Sequence, residues 1–351
     1  MKKILAILCS SFLIQTYAVA QNALLWRIDS RDGEKPSYLF GTVHLAQQKF
    51  VMYTDSLYAA IQNTDHFYGE LNFMSLGSYG DGSMLKEMME MGRRMDSLRK
   101  TEGWKSFIGR VNKSYNVGLK ADSMDQFIQF TENYLSKGHE NEIGMTAPDL
   151  LLSMHAKYLG KEVGGLETYA FQFRMLFELV EARVNDTTLQ LEDEVKMVKT
   201  LKDNYLTEQL DDIGSMIENM NPTYKEMVFD RRNRTMADSI EKHTGNQPSF
   251  FAIGAGHLPG TDGVISLLRK KGFIVSPVKS DNRISILVMN NMLKMASKTK
   301  NTENGIEDIE ALQEGVKVIE EVQEPPPAPP THPSKISIEK KPEQVKKKTK
   351  G

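Results

Sequence analysis

Two histidines in this chain stand behind the same spacing. Residues 37–44 read SYLFGTVH and residues 249–257 read SFFAIGAGH, each an apolar run closed by Gly-x-x-His, in a chain of seven histidines. A strand-end histidine taken singly reads as structural; the repeat draws attention to His44 and His257 as a pair. Gly41 and Gly254 carry no side chain, so the backbone there can turn tightly or approach a ligand. A third run, HFYGELNF, holds Glu70 near its end. Two imidazoles and one carboxylate suit Mn, Co, Fe or Zn and leave coordination positions open for water or substrate. Water bound to such a cation becomes a nucleophile near neutral pH. The helix-borne HExxH pattern is absent, which excludes the usual zincin arrangement and leaves a strand-end site open.

A second set of residues belongs with the first. On the helix that Pro222 opens, Val228, Arg232, Met236 and Ile240 recur every four residues and so share a face. Arg232 interrupts an otherwise apolar stripe. A guanidinium buried there requires an anion: Glu70, Glu167 or an anionic part of a substrate, with a purely structural ion pair as the other reading. Glu167 closes the run KEVGGLE just ahead of a helical stretch containing Gln172. It reads as a second acid–base group or as a hydrogen-bond anchor. His66, His139, His155, His243 and His332 lack the convergent partners that a site requires.

The elements that must hold these groups are short apolar runs separated by longer helical patterns. LLWRI, SYLFGTVH, HFYGELNF, KEVGGLE, SFFAIGAGH and FIVSPV read as strands. Strands alternating with helices indicate an α/β fold, a mixed or mostly parallel sheet flanked by helices. In such sheets ligands gather beyond the carboxyl ends of the strands, where His44, Glu70 and His257 would all project. The clearest unit is SFFAIGAGH, then TDGVISLLRKKG, then FIVSPV. Its helix is expected to be capped by Thr261 or Asp262, to bury Val264, Leu267 and Leu268, and to end at Gly272. Residues from about 77 to 156 read as a methionine-rich helical insertion or cap without a convincing strand. Methionines at that spacing read first as core filler, and over a cleft they would accept varied apolar groups.

The ends of the chain differ from its middle. Residues 1–20, MKKILAILCSSFLIQTYAVA, have the basic start, apolar centre and small-residue close of an export signal, with cleavage expected before Gln21. The single cysteine, Cys9, falls inside that segment, so residues 21–296 form a cysteine-free α/β domain whose metal ligands must be His, Asp or Glu. Residues 297–351 run from an acidic stretch through PPPAPP to KKPEQVKKKTKG, a composition expected of a disordered charged arm. Its lysines suit contact with a cell envelope. A formal net charge of −2 gives no broad electrostatic reason to expect nucleic acid.

Across about 23–280 the chain resembles the TraB/GumN family, which is related to the Tiki-type metalloproteases. The resemblance rests on LLWRI with YLFGTVH, Glu70 in YGELN, GGLET with Gln172, RRN at 231–233, and GAGHLPGTDGVISLLRKKGFIV. It implies that His44, His257 and Glu70 are metal or catalytic residues, that Arg232 and Asn233 form an Arg-Asn motif, and that the activity is divalent-metal-dependent peptide hydrolysis. Asn72 departs from the pattern, since an Asp is common at that place. Two further readings of the same cleft stand beside the hydrolase. One is a non-catalytic protein binding iron, haem or another ligand, for which ChaN-like proteins offer a fold analogy. The other is an envelope interaction protein with a relic cleft.

Overall fold

A computed structural model describes residues 22–29, 35–43, 46–47, 52–72, 83–136, 145–146, 148–188, 191–245, 247–280, 282–285 and 291. The expected export segment and the expected charged arm lie outside these residues. Among the described residues, no helix is long and apolar enough to cross a membrane.

A six-stranded mixed sheet organises the chain. Its strands are β1 (Leu25–Asp29), β2 (Ser37–Thr42), β5 (His66–Gly69), β7 (Glu162–Gly165), β8 (Ser249–Gly254) and β9 (Ile274–Val278), in the order β7-β5-β8-β2-β1-β9. β7, β5, β8 and β2 run parallel, while β1 is antiparallel to both β2 and β9. All six residues of β8 are buried, because a central parallel strand is covered on both faces and therefore needs a continuous apolar run. β9 lies at the sheet margin, where Pro277 is tolerated and Ile274 is 65% exposed. Three shorter strands, β3 (Ala46–Gln47), β4 (Met52–Thr54) and β6 (Met145–Thr146), complete two small ladders with β10 (Arg283–Ser285). β6 falls in the stretch read as strand-free, and two residues are too few to show a period of two.

The helices in chain order are α1 (Asp55–Gln62), α2 (Ser83–Leu98), α3 (Glu102–Tyr115), α4 (Met124–Ser136), α5 (Pro148–Tyr158), α6 (Tyr169–Asn185), α7 (Leu191–Leu206), α8 (Leu210–Glu218), α9 (Pro222–Lys225), α10 (Arg231–Thr244) and α11 (Val264–Lys270). They serve two cores. Around the sheet, Trp26, Phe67, Phe250 and Phe251 pack with Leu57 and Ile61 of α1, Leu152 of α5, Met236 and Ile240 of α10 and Leu268 of α11. The second core joins Leu98 to Trp104, Phe107, Ile108 and Val111 of α3 and to Phe177 and Val184 of α6. The methionines of α2 divide accordingly: Met91 and Met95 pack on the second core, whereas Met88 and Met89 are exposed.

The β8–α11–β9 unit forms as expected, although β2 and β1 lie between its two strands. α11 buries Val264, Ile265 and Leu268, with Leu267 only partly covered. It closes with Gly272 at φ 95°, where the Gly272 amide meets the Arg269 carbonyl and the Phe273 amide meets that of Leu268, a left-handed stop suited to glycine. Its start differs from the expectation. Gly263 occupies the N-cap position and no side chain caps the helix. The Thr261 hydroxyl is instead drawn to Glu218 at 3.3 Å, and the Asp262 carbonyl accepts from Asn233.

Candidate functional site

Three neighbouring parallel strands deliver the acidic and basic groups of the cleft. β5 ends at Gly69, so Glu70 is the next residue; β7 ends at Gly165, two residues before Glu167; β8 ends at Gly254, and a 3-10 turn over Ala255–His257 follows it. Because β7, β5 and β8 are adjacent and parallel, all three exits lie at one edge of the sheet. The β5–β7 pairing continues beyond the strands, with the Leu166 amide on the Gly69 carbonyl and the Glu167 amide on that of Glu70, both at 2.9 Å. This fit has a steric condition. A Cβ on Gly165 would stand 2.7 Å from the Asn72 backbone nitrogen.

Arg232 of α10 ties the two carboxylates together. Its Nη2 donates to Glu70 Oε2 at 2.6 Å and to Glu167 Oε2 at 2.7 Å, while Nε reaches Glu167 Oε1 at 3.0 Å. Gln172, in the first turns of α6, donates Nε2 to Glu167 Oε2 at 2.8 Å and to Glu70 Oε2 at 3.2 Å. Glu70, Glu167 and Arg232 are all buried. Burial works against the Arg232 charge, but the hydrogen bonds and charges of Glu167 and Glu70 outweigh it and hold the guanidinium pKa above its ordinary value. The other oxygen of Glu70 is differently placed: Oε1 accepts the Gly254 amide at 2.7 Å and faces His257 Nε2 at 3.7 Å.

His257 is oriented by Asn233, the residue after Arg232. Asn233 Nδ2 donates to the Asp262 carbonyl at 2.9 Å, so its Oδ1 is the atom that meets His257 Nδ1, at 2.6 Å. An amide oxygen only accepts; the Nδ1 proton must therefore lie in this bond, and Nε2 points at Glu70. The Phe229 ring lies 5.2 Å from the imidazole, centroid to centroid. Phe229 belongs to a π-helical turn over Glu226–Asp230 that joins α9 to α10. Val228 consequently sits within the π turn and is only half-buried, whereas Arg232, Met236 and Ile240 hold the buried face that their spacing implied. Turns of this kind are frequent at functional sites.

The donor chemistry fits a divalent cation in part. Two carboxylates meet one guanidinium in a buried cluster, which leaves an excess of negative charge when His257 is neutral. A carboxylate oxygen and an imidazole nitrogen 3.7 Å apart can share one ion, given metal–donor distances of roughly 2.0–2.2 Å. Among the described residues, however, no group of three His, Cys, Asp or Glu side chains is gathered to hold a metal. His44, the further ligand expected from the sequence, lies outside the described residues. Gly41 is internal to β2 opposite Ile253, and a Cβ there would stand 2.7 Å from the Leu258 side chain. Asn72 donates Nδ2 to the Val163 carbonyl at 3.1 Å, a bond that an ionised Asp cannot make. His66 and His243 flank the Tyr68 ring at sites away from Glu70, and His155 is buried in α5. The amide of Gly254 and the role of Asn233 as holder of the His257 ring were not readable from spacing. A polar residue directly after a buried arginine was the available signal for the second.

Residues 24–277 match the sequence model of the TraB/PrgY/gumN family. The chain is 23% identical over 316 residues to Metalloprotease TIKI2 of Danio rerio, covering 72% of this chain and 60% of that protein. It is 23% identical over 328 residues to the Metalloprotease TIKI homolog of Amphimedon queenslandica, covering 76% of this chain and 62% of the relative. The chain thus spans about three fifths of the length of these curated relatives. No solved structure matches it.

Proposed function

The chain belongs to the TraB/PrgY/gumN family, and we propose that it is a divalent-metal-dependent hydrolase of peptide bonds. The observation that carries this reading is the opposition of Glu70 Oε1 and His257 Nε2 across 3.7 Å at adjoining strand ends. Glu70 and His257 would hold the cation, with His44 as the further ligand that the sequence leads one to expect. Bound there, a divalent cation supplies Lewis acidity and lowers the pKa of water. Hydrolysis adds water across the amide: hydroxyl to the carbonyl carbon and a proton to the departing nitrogen.

The chain's own groups prepare that reaction by fixing two atoms. Arg232 and Gln172 hold Glu70 Oε2, which keeps Oε1 turned toward His257. Asn233 retains the proton of His257 Nδ1, so the Nε2 lone pair is directed inward. Phe229 packs against the imidazole. Glu167 has both oxygens engaged by Arg232 and acts as a positioning residue for it.

The test pairs metal analysis of the purified protein with cleavage of a peptide library. Wild type is expected to bind one of Mn, Co, Fe or Zn and to cleave; His257→Ala and Glu70→Gln are expected to lose both properties while keeping their circular dichroism. Unchanged metal affinity in either variant overturns the site. Tight metal or haem binding without cleavage would make the cleft a ligand-holding site instead. The reading also places the mature protein outside the cytoplasm, and N-terminal sequencing of exported material should begin at Gln21.

A further inference from the structure

A cavity of about 260 Å3 opens at the end of β2, the strand next to β8 in the sheet. Phe40 lines it from β2 and Val43 from just beyond that strand, Leu24 lines it from just before β1, and Leu206 stands at its mouth with 41% of its surface exposed. On the other side of the same strand end, Thr42 pairs with Gly254, whose amide binds Glu70. Two buried phenols, Tyr53 and Tyr205, complete the walls. Tyr205 Oη lies 3.4 Å from the Gly41 carbonyl, and the Tyr53 ring meets Phe40 edge-on at 5.1 Å. Burial raises the pKa of both phenols, so both remain neutral at working pH.

The mouth is charged. Arg283 Nη2 meets Glu208 Oε1 at 2.6 Å, and Lys279 adds a second cation. Glu208 holds φ 54°, a left-handed backbone that costs a residue with a side chain and that glycine usually supplies after a helix. The carboxylate is thus placed at the mouth at the expense of local backbone strain.

We propose that this cavity is the side-chain subsite of the peptide substrate, taking one large aromatic residue beside the bond presented to Glu70 and His257. The proposal rests on the hydrolase reading above. The volume falls below the roughly 300–1,000 Å3 of pockets that enclose whole drug-sized ligands, so it suits a single side chain. The lining is mixed, and within it the rings of Phe40, Tyr53 and Tyr205 favour an aromatic side chain over an aliphatic one. Among the described residues, Lys279 and Arg283 stand against the single carboxylate of Glu208 at the mouth, which disfavours lysine or arginine.

Three probes decide it on the full chain: N-acetyl-phenylalanine amide, N-acetyl-alanine amide and N-acetyl-arginine amide, titrated by NMR without added metal. The phenylalanine probe is expected to bind at least about tenfold more tightly than the other two and to show NOEs to the rings of Tyr53 and Tyr205. Leu206→Trp, which fills the mouth, should abolish the preference; Leu206→Ala, which widens it, should keep it. Equal affinities for the three probes, or binding without contact to either tyrosine ring, overturn the subsite, and the NOE measurement needs no variant to fold. The probes require neither metal nor turnover. Selective binding in a protein that cleaves no peptide refutes the hydrolase and retains the cavity as an aromatic site, whereas cleavage indifferent to residue size refutes the subsite and retains the hydrolase.

Discussion

Replacing Arg232 by Met keeps an unbranched stem of similar length and removes the charge that two buried carboxylates share. The structure shows what is lost: Nη2 to both Glu70 and Glu167 at 2.6 and 2.7 Å, and Nε to Glu167 at 3.0 Å. The Arg232 side chain is 5% exposed and those of Glu70 and Glu167 are 9% and 0%, so water does not take its place. Breaking a buried pair from one side costs about 3–5 kcal/mol, because the abandoned charge stays buried. At roughly 2–4 °C per kcal/mol for a domain of this size, the melting temperature should fall by about 6–20 °C. The double variant Arg232→Met with Glu167→Leu should recover part of that loss, since one stranded carboxylate remains instead of two. Urea unfolding of wild type and the single and double variants at one pH measures both steps. A loss below about 1 kcal/mol in the single variant, the scale of an exposed pair, would refute the view that Arg232 compensates both acids. So would a double variant that is less stable than the single one.

Asn233→Ala removes the acceptor that holds the His257 Nδ1 proton, and loss of such a supporting group typically costs about 10–100-fold in metal affinity or activity. Imidazole 15N shifts should report a mixed tautomer in the variant; an unchanged tautomer and unchanged metal affinity would contradict the assignment. His243 stacks on Tyr68 at 4.1 Å, and burial, followed by the charges of Lys242 and His66, lowers its pKa from 6.5. The unfolded chain therefore binds the proton more readily, so this contribution to stability is present above about pH 6.5 and is lost as pH falls through that value toward the folded pKa. An NMR titration of the His243 ring with a midpoint at or above 6.5 would be the contrary result. Gly165→Ala should cost about 1–3 kcal/mol, because the added carbon would press on the Asn72 backbone nitrogen; unaltered urea unfolding would show that the loop yields freely.

What the sequence made legible was whatever depends on local pattern. SFFAIG could be read as a buried strand because six consecutive small or apolar residues suit a parallel strand covered on both faces. Gly272 could be read as a helix stop because only its backbone freedom suits φ 95°. Arg232 announced an anion by breaking an apolar stripe, and Glu70 and Glu167 were the two candidates that the structure brings to it. The start of α11 departs from the local pattern because the side chains of Thr261 and Asp262 have partners remote in sequence: the Thr261 hydroxyl meets Glu218 and the Asp262 carboxylate faces Lys225 at 3.7 Å. The π turn was hidden for a related reason. It leaves the four-residue spacing of Arg232, Met236 and Ile240 intact and changes only the turn before them.

The sheet order explains why so long a detour in sequence ends at one cluster. β5 and β7 are neighbours, yet α2 to α5 intervene between them in the chain. The helix that follows β7, α6, then serves both parts of the structure. Its early turns carry Gln172 to Glu70 and Glu167, and its later turns carry Phe177 and Val184 into the second core. An α-helix of 17 residues is about 25 Å long and holds its ends in fixed relation. The helical lobe is therefore joined to the carboxylate pair by a single rigid element as well as by the chain on either side. Substitutions that loosen the second core at Phe177 act on the same helix that presents Gln172, so the lobe contributes to the geometry of the carboxylate pair through that helix.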